Sequence, residues 1–334
     1  MIAHYAGKIQ ELKAEIGKVV IGQEEMINTM IYTFLSKGHI LLEGVPGLAK
    51  SLAVETFAKV IGGSFKRFQF TPDKMPGDIT GTTIYHEQTS AFVYYRGPIF
   101  CNIFLADEIN RASPKVQSAL LQAMQEKEVT AEGETYPIPD PFIVLATQNP
   151  IEQIGTYPLA ESQVDRFMVK YDVGYPNPAE ERELIRRKHF DFEARKADVR
   201  QILTIAEVLA MQALIHDHIR VTGKIMDYLL KLCVATRPPA TYRPLDGQGA
   251  AAGEQREIHQ YIKLGASPRA SESLLALAKT LAFCQGRDFV NFDDVNTCAA
   301  HVLRHRMLLN SHASARQINA DMLVHELLKK IRPY

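Results

Sequence analysis

The 334-residue chain has no net charge: 38 lysines and arginines are matched by 38 aspartates and glutamates. It therefore lacks the basic excess that nucleic acid or an anionic membrane surface rewards. Its four cysteines, Cys101, Cys233, Cys284 and Cys298, form no C-x-x-C pair and no finger spacing. That argues against zinc and dithiol motifs and suits thiols in a reducing cytoplasm. No apolar run approaches the length of a membrane span, and the N-terminus lacks a signal-peptide apolar core. A soluble, cytoplasmic protein with no transmembrane segment is the expectation. No internal repeat is evident. The length suits about two domains, with cores large enough to need no covalent staples.

What the chain does have is concentrated in residues 40–51. Ile40, Leu41 and Leu42 make an apolar run that ends at Glu43. Then come Gly44, Val45, Pro46, Gly47, Leu48, Ala49, Lys50 and Ser51, followed by a helical pattern with Leu52, Ala53, Phe57 and Ile61 on one side. Strand, glycine-rich turn and helix, in that order, build a phosphate-binding loop. The glycines let backbone N–H groups curl around an anion, and the helix N-terminus adds its positive dipole end. Lys50 would reach the β- and γ-phosphates of a nucleotide, and the Ser51 hydroxyl would ligate Mg²⁺. One residue departs from the usual pattern: Ala49 stands where a glycine is expected. Its methyl group could crowd the β-phosphate, or be harmless if the residue has helical dihedrals.

The rest of the chain reads first as α/β. Ile9, Leu12, Ile16 and Val19 mark an amphipathic helix over 6–20, and a second helix begins near Glu24. Strands are expected at 65–70, 99–107 and 142–146. Residues 71–98 are rich in Gly, Thr, Pro and aromatics. There the alternation of Thr83 and Tyr85 with Phe92 and Tyr94 predicts an inserted hairpin, against the alternative of a structureless loop. A second hairpin is expected over 129–140. Ser113-Pro114 and Asn177-Pro178 each read as an N-cap followed by a first-turn proline. Beyond about 175 the strand signals stop, and helices are expected near 179–196, 204–219, 223–236, 268–285 and 293–307. We place a domain boundary there, with a loop or insertion over 238–263.

Three polar clusters each follow an apolar run: Gly44 to Ser51, Asp107-Glu108, and Asn149. In an open parallel sheet, ligands bind outside the carboxyl ends of the strands, so the three should converge on one crevice. Asp107 would hold the Mg²⁺ shell, through water. Glu108 is placed to take a proton from the attacking water. Asn149 would hydrogen-bond that water or the γ-phosphate. Phosphoryl transfer spreads negative charge that an arginine can stabilise. Arg166 is the first candidate and Arg269, opened by Ser267 as N-cap and Pro268, the second; Arg111 is the weakest, since it can simply pair with Glu108. His301 and His305 share a helical face with no third metal ligand in view. Phe92, Tyr94 and Tyr95 could grip a substrate or pack within the insert. The charges near Glu183 and Arg187 read as a solvated helix face.

These residues resemble an AAA+ ATPase, and more specifically the MoxR group, in the clade with an insert in helix 2. The resemblance rests on the 43–51 loop, Gly97-Pro98-Ile99-Phe100, Leu105-Ala106-Asp107-Glu108-Ile109-Asn110-Arg111-Ala112, and Ala146-Thr147-Gln148-Asn149-Pro150. Asp165-Arg166-Phe167, Gly265-Ala266-Ser267-Pro268-Arg269 and Val302-Leu303-Arg304-His305-Arg306 complete it. It implies an α/β nucleotide-binding domain, a parallel sheet flanked by helices over 1–175, followed by an all-α lid over 176–334. Lys50 and Ser51 would be Walker A, Asp107 and Glu108 Walker B, and Asn149 sensor 1. Arg166 would be the arginine finger, Arg269 sensor 2, and Val20 and Ile21 the adenine-side box. Residues 71–98 would be the helix-2 insert and 128–140 the hairpin before sensor 1. The resemblance also implies ATP and Mg²⁺ as cofactors and a homo-oligomeric ring, commonly hexameric. It implies chaperone-like work on a client, often one with a von Willebrand factor A domain or a metal cofactor to insert. Two rivals stay open: a DNA-acting motor of the same superfamily, disfavoured by the charge balance, and a non-hydrolysing nucleotide-gated scaffold.

Overall fold

The computed structural model describes residues 1–87, 90–151, 155–190, 192–238 and 256–332. In chain order the helices are α1 (Ile2–Gly17), α2 (Glu24–Leu35), α3 (Lys50–Ile61), α4 (Pro76–Thr80), α5 (Pro114–Glu126), α6 (Glu161–Val164), α7 (Pro178–Phe190) and α8 (Phe192–Asp198). They continue with α9 (Ile205–His218), α10 (Gly223–Ala235), α11 (Arg256–His259), α12 (Pro268–Cys284), α13 (Phe292–Leu303), α14 (Ser311–Ala315) and α15 (Ala320–Lys330). The strands are β1 (Ile40–Glu43), β2 (Phe65–Gln69), β3 (Gly81–His86), β4 (Ala91–Arg96), β5 (Ile103–Asp107), β6 (Glu128–Ala131), β7 (Glu134–Pro137), β8 (Ile143–Gln148), β9 (Val169–Asp172), β10 (Ile262–Leu264) and β11 (Leu308–Leu309).

Two compact units share the chain. One comprises residues 7–160 and 171–212; the other comprises 1–6, 161–170 and 213–334. The first is α/β, around a sheet of order β2-β5-β8-β1-β9. The pairs β2–β5, β5–β8 and β8–β1 are parallel. Every residue of β5, and all but the last of β8, is buried, as expected for strands covered on both faces. Helices α2 and α3 pack Phe34 edge-on against Phe57, with ring centroids 5.6 Å apart. Burying each such side chain stabilises the fold by about 1.5–3 kcal/mol.

Both expected hairpins form. In the insert, Tyr85 pairs with Phe92 and Thr83 with Tyr94, the register that the alternation predicts. At its base Gly81 (φ +118°) and Gly97 lie back to back; a Cβ on Gly97 would stand 2.1 Å from the Ile79 carbonyl oxygen. Neither position tolerates a side chain. The second hairpin pairs β6 with β7. Tyr94 of the insert stacks on its Tyr136 at 4.6 Å.

The C-terminal unit is mainly helical. Leu274, Leu277 and Leu281 of α12 and Val295, Val302 and Leu303 of α13 are buried. Part of the structure departs from the periodicity reading. The strand expected over 99–107 begins only at Ile103. The helix expected over 179–196 is α7 followed by α8. Helix α15, with Asn319 capping the Met322 N–H at 2.9 Å, and the β10–β11 pair were not anticipated. Of the 238–263 loop, residues 239–255 lie outside the described residues. No described helix is long and apolar enough to cross a membrane.

Candidate functional site

The ends of β1, β5 and β8 open onto one cavity of about 360 Å³. It is lined by Gly44, Pro46, Gly47, Leu48, Ala49, Lys50, Ser51 and Leu52 from the loop after β1. Asp107 and Glu108 reach it from β5, and Gln148 and Asn149 from β8. The three clusters that the sequence separates by some fifty residues each are thus brought together; Val45, in the same turn, is half-buried. Parallel register explains the convergence: Glu43 lies opposite Gln148, and their side chains bond at 3.1 Å.

Lys50 opens α3 and donates to the Gly44 carbonyl across the loop. Burial holds its pKa below the ordinary lysine range, against the attraction of Asp107, Glu108 and Glu43. A half-buried cation is disfavoured by desolvation, and an anion placed against it would restore the charged form. Ala49 is neither right-handed helical nor glycine-like by choice: it sits in the left-handed region, φ +57° and ψ 17°. That costs an alanine about 1–2 kcal/mol.

Asp107 is almost buried and has partners on both oxygens. Thr147 Oγ1 donates to Oδ1 at 2.6 Å. Arg67 donates to Oδ2 from Nε at 3.0 Å and Nη2 at 2.6 Å, and Ser51 Oγ lies 3.5 Å from the same oxygen. Glu108 has φ +57°, an unfavourable conformation for a non-glycine residue that often marks functional sites. It is held by Thr147, which accepts its backbone N–H at 2.9 Å. Gln69 Nε2 donates to Glu108 Oε2 at 2.7 Å, and Arg111 pairs with it at 2.9 Å. Arg67, Gln69 and Thr147 are the site residues that sequence reasoning missed. The signal was available in β2, where Arg67 and Gln69 alternate onto one face. Asn149 is buried and folds its Oδ1 back to the Ile151 N–H at 3.1 Å.

The remaining candidates are not among the residues that line this cavity. Val20 and Ile21 line a separate cavity of about 450 Å³, with Gly22, Gln23, Asn28 and Arg187. Arg166 and Arg269 belong to the C-terminal unit. Arg166 is half-buried, while Arg269 Nη1 stands 3.5 Å from Asp165 Oδ2. Ser267 occupies the N-cap position of α12 without capping it: its hydroxyl lies 3.0 Å from both Asp165 oxygens instead. The hydroxyl donates to the carboxylate in a charge-assisted bond, and its oxygen accepts no N–H of the first turn of α12. His305 Nε2 bonds the Phe167 carbonyl at 3.0 Å. The solvated face near Glu183 needs correction. Arg187 pairs with Glu183 but also donates to the Gly17 and Lys18 carbonyls, at 3.0 and 2.7 Å, tying α7 to the end of α1. In the insert Phe92 is 75% exposed and Tyr95 47%, whereas Tyr94 packs.

Residues 39–169 match the model of the ATPase family associated with various cellular activities (AAA), and 254–327 match an AAA lid domain. The chain is also 44% identical over 317 residues to the chaperone MoxR1 of Mycobacterium tuberculosis, covering 95% of this chain and 80% of that one. The chain belongs to the MoxR-type AAA+ ATPases. A second relative of this MoxR-type ATPase, the uncharacterized protein YeaC of Bacillus subtilis, is 39% identical over 95% of this chain and 92% of its own. The protein MoxR of Paracoccus denitrificans is 29% identical over 92% and 91%. A crystal structure of a candidate ATPase from Cytophaga hutchinsonii superposes with a TM-score of 0.87 at 43% identity, over 100% of this chain and 97% of that one. ATP hydrolysis on an AAA domain followed by a helical lid is therefore the activity and architecture of this chain.

Proposed function

We propose that this ATPase couples Mg²⁺-dependent hydrolysis, in a ring of identical subunits, to chaperone-like remodelling of a client protein in the cytoplasm. The observation that carries the reading is the single cavity lined by Gly44, Lys50, Ser51, Asp107, Glu108 and Asn149. Lys50 would hold the β- and γ-phosphates, Glu108 take a proton from the attacking water, and Asn149 orient that water. Ser51 Oγ and Asp107 Oδ2 offer hard oxygen donors side by side, the set that suits Mg²⁺. When bound there, Mg²⁺ neutralises charge on the triphosphate. Val20 and Ile21 would border the adenine. Arg269 would reach nucleotide as sensor 2.

Ring assembly follows from the Arg166 reading. Its side chain has no hydrogen-bond or ion-pair partner among the described residues, which supports a finger offered to a neighbouring subunit. The family resemblance favours six subunits. The chaperone name of the M. tuberculosis relative and the exposed Ile84, Tyr85 and Phe92 of the insert support work on a client. A von Willebrand factor A domain protein or a metal-cofactor enzyme is the class that the family favours.

The test is Glu108→Gln. Phosphate release should fall at least about 100-fold while binding of a fluorescent ATP analogue stays within a few-fold of wild type. Held in its ATP state, this variant should also retain the client in an affinity pull-down. Wild-type turnover in Glu108→Gln would remove the assigned base. No phosphate release from the parent protein would leave only a nucleotide-gated scaffold.

A further inference from the structure

Asp165 immediately precedes Arg166, in the turn that follows α6. Its carboxylate gathers three groups from distant parts of the C-terminal unit. Arg306 Nε bonds Oδ1 at 2.9 Å. Ser267 Oγ stands 3.0 Å from both oxygens. Arg269 Nη1 stands 3.5 Å from Oδ2.

Arg306 does more than pair. Its side chain is only 2% exposed. The rest of its fork grips the backbone on both sides of Arg166. Nη2 donates to the Phe167 carbonyl at 2.8 Å and the Asp165 carbonyl at 3.3 Å, and Nη1 to the Met168 carbonyl at 3.0 Å. Nη1 also donates to Val302 at 2.7 Å, closing the network onto α13. His305 adds a second bond to the Phe167 carbonyl. Burying a guanidinium is costly, and an apolar side chain of like volume often stabilises a core as well. What the planar fork adds is geometric definition. Here that definition falls on residues 165, 167 and 168, and leaves the intervening Arg166 side chain unbonded among the described residues.

We propose that Asp165 is a positioning residue for ATP hydrolysis: clamped by buried Arg306, it fixes the loop that aims the Arg166 guanidinium. Through Ser267 and Arg269 it ties that aim to the first turn of α12. The proposal rests on the reading of Arg166 as the charge-stabilising arginine. Arg166 would touch the reacting phosphate; Asp165 acts only through it. Misplacing such a group by about 1 Å can lower a rate by about two orders of magnitude.

A double-mutant cycle tests this in the full-length protein: wild type, Arg166→Ala, Asp165→Asn and the pair. Asparagine keeps the shape and one acceptor but presents an amide donor to Ser267 and Arg269. Asp165→Asn should lower kcat about tenfold, with KM and affinity for a fluorescent ATP analogue within about twofold of wild type. In the Arg166→Ala background it should cost almost nothing more, because the two act as one unit. A purely structural role would shift nucleotide affinity and multiply with Arg166→Ala. Wild-type kcat in Asp165→Asn, or full additivity in the pair, overturns the proposal. Arg166→Ala turning over at the wild-type rate overturns the arginine reading itself, and the proposal falls with it. Should Asp165→Asn fail to fold, Ser267→Ala removes one donor only. It should lower kcat about threefold with the same non-additivity; an unchanged or additive rate overturns the tie to α12.

Discussion

Asp107 in the α/β unit and Asp165 in the C-terminal unit are both paired with arginine, yet the two pairs are built differently. Arg67, the partner of Asp107, is 54% exposed and stands at the mouth of a cavity. Arg306, the partner of Asp165, is 2% exposed and spends its other N–H groups on backbone carbonyls. An arginine that stands half in water at a ligand cavity can leave its carboxylate to a ligand at small cost. A buried pair cannot lose one member without stranding the other's charge. The contrast separates a carboxylate arranged to be re-partnered from one arranged to stay.

The comparison breaks most readily on those two arginines. Arg306→Met should lower the unfolding free energy by about 3–5 kcal/mol, because the Asp165 carboxylate and four backbone carbonyls each lose a donor inside the protein. Arg67→Met should cost less, about 1–2 kcal/mol, since Arg67 stands half in water and Thr147 still donates to the buried Asp107. Denaturant titration of both variants checks the difference. Equal losses would mean that exposure does not distinguish the two sites. If Arg306→Met does not accumulate, Arg306→Lys keeps the charge but not the fork and should still lose more than Arg67→Met.

The two sites also differ in how far they could be read from the residues. The loop from Gly44 to Ser51 and the Asp107-Glu108 pair are contiguous, and their chemistry is carried by local spacing. Their convergence followed from one rule about parallel sheets, and β1, β5 and β8 obey it. Arg67 and Thr147 escaped notice because each meets Asp107 only through strand pairing, 40 residues away in sequence in both cases. The Asp165 network spans up to 141 residues, and no periodicity announces it. Ser267 shows why a local rule fails there: sequence marks it as a helix cap, and a distant carboxylate takes its hydroxyl. Helix α15 is a different kind of miss. Its buried Leu323, Val324 and Leu327 carry a helical pattern, and Asn319 caps it, so it was legible.

His39 asks whether the α/β unit is loose throughout or only at its strand ends. Its ring is buried. Nδ1 accepts the Val144 N–H at 2.9 Å, so Nε2 carries the proton and donates to the Met124 carbonyl at 3.1 Å. Burial lowers its pKa from 6.5 to about 4. The folded chain therefore binds fewer protons here than the unfolded chain between these two values. This contribution is complete above pH 6.5 and is lost as pH falls towards 4. The loss amounts to about 3 kcal/mol. Unfolding free energies measured from pH 7 to pH 4 should show that slope, and His39→Gln should remove it. An unchanged slope in the variant would place the acid sensitivity elsewhere.

Ala49 gives the smallest effect and the finest distinction. Its left-handed backbone lies at the rim of the Asp107 cavity, in the loop that must wrap a phosphate. If the strain belongs to an exchangeable site, relieving it should matter little beyond stability. Ala49→Gly removes a Cβ penalty of about 1–2 kcal/mol but adds freedom to the unfolded chain. The net gain should be about 1 kcal/mol or less, read from the denaturant midpoint. Nucleotide affinity should stay within about twofold, because the loop already holds the conformation that glycine would adopt. A large rise in affinity would instead mean that the methyl group obstructs the phosphate, and that the loop shape seen here is not the one that binds.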